Sequence, residues 1–312
     1  MLLSIFKREC KSTHFLPKFS FDKRLNLNQL KMIIFKKAAD IHEFLHKRAE
    51  TGASIGFVPT MGALHEGHIS LVERSRKNDG LTVSSIFVNP TQFNDKKDFE
   101  KYPVTIECDI DMLEAAGCAA LFLPELSEMY PQGMNTDQHY ELGFLESILE
   151  GKYRPGHFQG VCQVVDRLLS VVYCNTMYLG QKDYQQCMVL KKLVDLKFPN
   201  VTVDIVPTMR EADGLAMSSR NMRLDANARQ QAVKISEALS FIKKNVHPGY
   251  LEDLKERVSQ YLQTEGFKVD YVEIANANTI EAIEHYDGKT KLVALIAAFI
   301  GEVRLIDNML IN

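Results

Sequence analysis

Two histidines three positions apart, in the string His65-Glu66-Gly67-His68, offer more chemistry than any other pair in the chain. At that spacing in a first helical turn both imidazoles point to one side. They follow the apolar run Gly56-Phe57-Val58-Pro59-Thr60 and the turn-like Met61-Gly62-Ala63-Leu64, which reads as a strand passing through a nucleotide-binding turn into a helix. Ligands of open α/β sheets sit outside the carboxyl ends of strands, and a helix start presents unpaired N–H groups and positive potential suited to phosphate. Gly67 lacks the side chain that would hold a triphosphate away from the backbone. The plainer alternative is a pair of surface histidines at a helix start. A zinc motif is not expected, because H-E-x-x-H needs a spacing of four.

Three further strings carry polar groups to places of the same kind. Asn89 and Gln92, in Phe87-Val88-Asn89-Pro90-Thr91-Gln92-Phe93, follow a second strand-like run, and their amides can bond a small polar substrate without adding charge. The competing reading is an Asn-Pro turn with Gln92 exposed. Gly180-Gln181-Lys182-Asp183-Tyr184-Gln185-Gln186 also follows a strand: Lys182 can meet a phosphate, and Asp183 can cap a helix or hold a ribose hydroxyl. A solvated ion pair is the alternative there. Met217-Ser218-Ser219-Arg220-Asn221 supplies two hydroxyls and a guanidinium fork suited to phosphate oxygens, unless it is a serine-rich turn by chance.

Alternating apolar and amphipathic stretches must position these groups. Candidate strands at Ser54–Val58, Leu81–Val88, Ala119–Leu123, Met177–Leu179 and Val201–Val206 imply βα units on a mostly parallel, Rossmann-like sheet with helices on both faces. Val161, Val164, Val165, Leu168, Leu169 and Val172 form one apolar helix face between them. Pro207 ends the last strand and marks the expected boundary between a catalytic domain, residues 32–207, and a smaller α+β lid domain, residues 208–312. Helices over about 226–245 and 250–264, then strands at Val269–Ile274, Leu292–Phe299 and Glu302–Ile306, are predicted for the second part. Its proximity in sequence lets the Met217–Arg220 stretch close over a ligand held by the first part.

Composition narrows the class. The chain has 312 residues, 46% of them hydrophobic, and a net charge of -3, so it buries a core and gives no global reason to bind nucleic acid. Its six cysteines form no C-x-x-C pair, pointing to reduced thiols in a cytoplasmic setting. The longest apolar run, Leu292–Ile300, is well short of the roughly 20 residues that span a bilayer, and reads as a buried strand. Residues 1–31 form a basic extension without a hydrophobic period, expected to lie outside the fold, either upstream of a start at Met32 or as a targeting segment.

Taken in order, Pro-Thr-Met-Gly-Ala-Leu-His-Glu-Gly-His, Phe-Val-Asn-Pro-Thr-Gln-Phe, Gly-Gln-Lys-Asp-Tyr-Gln-Gln and Arg-Glu-Ala-Asp-Gly-Leu-Ala-Met-Ser-Ser-Arg-Asn resemble the pantoate:β-alanine ligase family, from about Met32 to the carboxyl terminus. His-x-Gly-His alone marks only the wider nucleotidyltransferase superfamily. The resemblance implies that ATP and pantoate give pantoyl adenylate and pyrophosphate, and that β-alanine then displaces AMP. It implies an ATP site of Met61, Gly62, Ala63, Leu64, His65, Glu66, Gly67, His68, Gly180, Gln181, Lys182, Asp183, Met209, Met217, Ser218, Ser219 and Arg220, with His65, His68 and Lys182 catalytic. Gln92 and Gln186 would hold pantoate, Gln92 would also lie near β-alanine, and Asn89, Tyr102 and Arg154 would surround the site. Mg2+ accompanying the triphosphate and a homodimer are further implications. Gln181 stands where the family commonly has glutamate, which is tolerated if that position meets nucleotide through its backbone. A pantoate carboxylate is already ionised at neutral pH, so adenylation needs no base. His68 is then a donor to developing phosphate charge. The sequence assigns no base to the β-alanine step.

Overall fold

The computed structural model describes residues 31–93, 99–100, 102–134 and 138–312. Nearly all of the basic extension therefore lies outside the described residues. Six strands, β1 (Ile33–Phe35), β2 (Ile55–Thr60), β3 (Leu81–Ile86), β4 (Ala120–Phe122), β5 (Thr176–Gly180) and β6 (Thr202–Val206), pair in the order β1-β4-β3-β2-β5-β6. Every pairing is parallel. Parallel strands covered on both faces are apolar throughout rather than alternating, and β2 is buried at Ile55, Gly56, Phe57, Val58 and Thr60.

Helices cover both faces. On one, α1 (Ala38–Glu50) packs with the two long helices of the second half of the sheet, joining Ile41 and Leu45 to Val161, Val165, Leu168, Leu190 and Leu193 around Phe57 and Phe122. On the other, α2 (Glu66–Asn78) and α3 (Ile106–Ala115) place Leu71, Val72 and Leu113 against Val58, Leu121 and Tyr178. Short α4 (Leu126–Met129) and α5 (Leu149–Tyr153) precede α6 (His157–Val171), whose apolar stripe is the one the sequence marks, and α7 (Tyr184–Lys197) follows β5. After β2 the chain builds outward through β3, and it later returns to the other side of β2 with β5. The crevice at the carboxyl ends of β2 and β5 is thus the switch point where such sheets bind ligands.

After β6 the chain forms α8 (Ala226–Ala232), α9 (Lys234–Asn245), β7 (Gly249–Tyr250), α10 (Glu252–Thr264), β8 (Lys268–Asn276), β9 (His285–Tyr286), β10 (Leu292–Ile300) and β11 (Val303–Leu310). An antiparallel sheet in the order β11-β10-β8 carries α9 and α10 over a separate cluster that includes Leu239, Leu262, Ile296 and Leu305. The single helix predicted over 226–245 is broken at Val233. Its carbonyl accepts from Ser236 N, Glu237 N and Ser236 Oγ, and a serine competing for a backbone carbonyl bends a helix. Cys118, Cys162, Cys174 and Cys187 are free and buried.

Candidate active site

The turn after β2 is held in a conformation few residues adopt. Gly62 and Ala63 have φ of 82° and 50°, and a non-glycine residue in the left-handed region costs about 1 kcal/mol or more. Asp109, buried on α3, offsets that cost: its Oδ2 accepts from Ala63 N at 3.0 Å and its Oδ1 from Leu64 N at 2.8 Å and Thr105 Oγ1 at 3.0 Å. A Cβ on Gly62 would also lie 3.0 Å from Asp109 Oδ2. Sequence reasoning missed Asp109. The available signal was one acid on the inward face of an amphipathic helix, between Ile106 and Leu113.

The two histidines cap α2 reciprocally. His65 Nδ1 accepts from Gly67 N at 3.1 Å, and His68 Nδ1 accepts from His65 N at 3.3 Å, with the rings 4.1 Å apart. A Cβ on Gly67 would sit 2.8 Å from the His65 ring, so this glycine makes room for the capping imidazole. Burial first, then the neighbouring His68 and Lys182, push the pKa of His65 down to about 3. Burial pushes His68 down to about 4, although Asp183 pulls it the other way. Both rings are therefore neutral at pH 7, and with each Nδ1 accepting a backbone N–H the proton must sit on Nε2. The turn presents two neutral N–H donors.

Across the switch point, β5 delivers Gly180, where a Cβ would meet nothing within 4 Å, and then Lys182 and Asp183. Burial pushes the Asp183 carboxyl up, but Lys182, Arg220 and Arg154 together hold it below the ordinary carboxylate range. Gln181 turns away: its amide donates to Asn308 Oδ1 on β11, and Asn308 Nδ2 donates to the carbonyls of Gln181 and Lys182 at 2.9 and 2.8 Å. The Met217–Arg220 stretch is pinned at its base, because Met217 N bonds Met209 O and Arg210 forms a bidentate pair with Asp307 at 2.7 and 3.0 Å. Tyr102, in the connection between β3 and α3, bonds the Ser219 side chain.

These elements enclose one cavity of about 250 Å³. Met61, His65, Gly67, His68, Gln92, Tyr102, Arg154, Gly180, Lys182, Asp183, Gln186, Met209, Met217, Ser218, Ser219 and Arg220 all line it. Gly62, Ala63, Leu64, Glu66 and Gln181 do not, and the first three instead shape the turn. Asn89 is fully buried with its amide spent on Thr91 Oγ1 and Gly160 O, while its Oδ1 accepts from Tyr130. It fixes the loop that carries Gln92. His157 is a lining residue that sequence reasoning missed, since it opens α6 beside the more conspicuous apolar stripe.

The chain matches the family described as Pantoate-beta-alanine ligase over residues 33–310. It is similar to the pantothenate synthetase of Cytophaga hutchinsonii, 43% identical over 284 residues that cover 90% of this chain and 99% of the relative. That of Acetivibrio thermocellus is 44% identical over 284 residues, covering 90% of this chain and all of the relative. Among solved structures, pantothenate synthetase from Thermus thermophilus superposes with a TM-score of 0.82 at 38% identity, over 90% of this chain and 99% of that one. The Francisella tularensis pantoate-beta-alanine ligase, crystallised with Beta-gamma ATP and Beta-alanine, does so with a TM-score of 0.74 at 37% identity, over 89% and 97%.

Proposed function

Since the chain belongs to the pantoate–β-alanine ligase family, we infer that it condenses pantoate with β-alanine at the expense of ATP, through a pantoyl adenylate that releases pyrophosphate. One observation carries the reading: two Nε2–H donors, the Lys182 ammonium, Arg220 and the amides of Gln92 and Gln186 converge on a single cavity at the switch point of the sheet. Phosphate-binding donors and neutral substrate amides are what adenylation of a hydroxy acid requires.

In this reading the triphosphate lies along the start of α2, with its β- and γ-phosphates between His65, His68, Lys182 and the Ser218–Arg220 clamp. The ionised pantoate carboxylate, oriented by Gln92 and Gln186, attacks the α-phosphorus in line with the pyrophosphate. No base is needed for that step. As charge develops on the leaving oxygens, the Nε2–H groups donate to it from fixed positions, which is worth more than donation from water that must reorient. Among the described residues no three His, Cys, Asp or Glu side chains gather as metal ligands. Mg2+ accompanying the triphosphate would help to neutralise charge on the departing pyrophosphate.

We also propose that residues 208–312 act as a lid on the catalytic part, residues 32–207, that the enzyme works as a homodimer, and that it does so in the cytoplasm. No helix among the described residues is long and apolar enough to cross a membrane. The test of the central reading is a coupled pyrophosphate assay: release should require both ATP and pantoate, and pantothenate should form only when β-alanine follows. Pyrophosphate release indifferent to pantoate would overturn it.

A further inference from the structure

The β-alanine step needs a proton acceptor. The amine attacks the acyl carbon as its free base, the nitrogen becomes cationic as the C–N bond forms, and a proton must leave it before the amide is complete. His65 and His68 are unsuited to this, since each presents an N–H rather than a lone pair to the cavity. His157 is the opposite case. Its Nδ1 lies 2.8 Å from the carbonyl oxygen of Gln92. A carbonyl only accepts, so Nδ1 carries the proton and Nε2 carries the lone pair. His157 is 6% exposed. Its Nε2 has no hydrogen-bond partner among the described residues, and it is not among the buried polar atoms left unpaired. The ring lines the same cavity as Gln92 and Gln186, so that nitrogen opens onto it.

We infer that His157 Nε2 is the base that takes the amine proton in the second half-reaction. The inference rests on the ligase reading above. Free β-alanine, having lost its ammonium proton to water, forms a C–N bond from its lone pair to the pantoyl carbon. Nε2 accepts one N–H proton. The acyl C–O bond to phosphate then breaks, its electron pair leaves with AMP, and the imidazolium returns its proton to water. The geometry places the base beside its substrate, because the residue that bonds Nδ1 through its carbonyl is the same Gln92 whose amide is proposed to hold pantoate.

The surroundings keep the ring available. Burial first, then the Arg154 cation, push its pKa down to about 4, against the backbone bond to Gln92 and the nearby Glu150 and Asp183. His157 is therefore an unprotonated acceptor over the working range, and the anionic phosphate of an adenylate would raise its basicity when it is needed. Gly156, in the left-handed region with φ of 79°, opens α6 and aims the ring.

The side chains of asparagine and glutamine separate the roles of the two nitrogens. Asparagine puts an amide near the position of Nδ1, so His157→Asn keeps a donor for Gln92 O and removes only the base. In single-turnover measurements, pyrophosphate release from ATP and pantoate should stay within about twofold of the parent. Aminolysis of the accumulated adenylate by β-alanine should slow about a hundredfold or more, the scale of losing a general base. Once rates are referred to the free-amine fraction of β-alanine, which falls with pH in both proteins, the parent's aminolysis should still lose rate on acidification, and that residual limb should vanish in the variant. Hydroxylamine, a much weaker base that sheds its proton readily, should restore aminolysis in the variant toward the parent rate. If β-alanine aminolysis is unchanged, or both half-reactions slow equally, the assignment fails while the ligase reading stands. If pantoate elicits no pyrophosphate from the parent, it is the ligase reading that fails.

Discussion

Replacing Asp109 by asparagine tests whether one buried carboxylate holds the nucleotide-binding turn in shape. The carboxylate accepts three hydrogen bonds, two of them from consecutive backbone N–H groups. Asparagine has one oxygen. In the orientation that keeps Leu64 N and Thr105 Oγ1 satisfied, its NH2 faces the N–H of Ala63, a residue only 4% exposed. An unpaired buried donor costs about 1–3 kcal/mol, and the two remaining bonds lose the strengthening a charged acceptor gives. We expect Asp109→Asn to lower unfolding stability by about 2–4 kcal/mol in a denaturant titration. Freed of its tether, Ala63 would relax from its left-handed conformation and carry His65 with it, and a displacement of about 1 Å in a catalytic group can cost a factor near 100. Pantoate-dependent pyrophosphate release should therefore fall at least tenfold. Thr105→Ala, which removes one donor and leaves both backbone bonds, should cost about 1 kcal/mol and little activity. An Asp109→Asn protein within about 0.5 kcal/mol and twofold of the parent would refute the argument.

Gln186→Leu should worsen pantoate kcat/KM while leaving the KM for ATP nearly unchanged, and equal losses for both substrates would move Gln186 out of the pantoate site. The depressed histidine pKa values also set a stability profile. In the unfolded chain a histidine takes up its proton near pH 6.5, but folded His68 does so only near 4, so the unfolded state binds more protons between those values and stability falls as pH drops through that window. The contribution is up to about 1.4 kcal/mol per pH unit for each such histidine. In denaturant titrations from pH 6.5 to 4.5, His68→Gln should show a shallower slope than the parent, and parallel profiles would contradict the burial argument.

What was legible in the sequence divides by the range of the interaction that decides it. The five strands of the parallel sheet that the sequence marks all exist within a few residues of their expected bounds, because short runs of apolar and β-branched residues between turn signals declare themselves locally. The histidine turn, the Lys182-Asp183 turn and the serine clamp were legible as motifs, and the parallel topology brings them together. Asp109 and His157 were not. Each acts on a residue far away in the chain, Ala63 in one case and Gln92 in the other, and a lone polar residue on an apolar helix does not announce its partner. Asn89 failed for the opposite reason: its place after a strand suited a ligand contact, but the close packing of Gly160 on Thr91, where a Cβ would lie 2.5 Å from the carbonyl oxygen, buries the amide completely. Gln181 follows a strand as well, but its side chain turns to Asn308 on β11, and that bond is the reason an amide suits the position.

The same side chain does two different jobs in this site because the backbone chooses the tautomer. Backbone N–H groups donate to Nδ1 of His65 and His68, which leaves Nε2–H toward the cavity, whereas a backbone carbonyl accepts from Nδ1 of His157, which leaves a lone pair there. Substitutions at His68 and His157 should therefore have crossed outcomes. At His68 the cavity-facing group is a donor, and glutamine supplies an N–H near the position of Nε2, so His68→Gln should retain most of the adenylation rate. His68→Asn keeps only the position of the capping nitrogen and should lose about a hundredfold, the scale of one preorganised donor. Aminolysis of preformed adenylate should be nearly untouched in both. If His68 acted instead as a proton-accepting base, the two variants would be equally impaired and the defect would extend to the β-alanine step, so rapid-quench measurement of the two half-reactions in this pair decides whether the hydrogen-bond partners of the rings assign their chemistry.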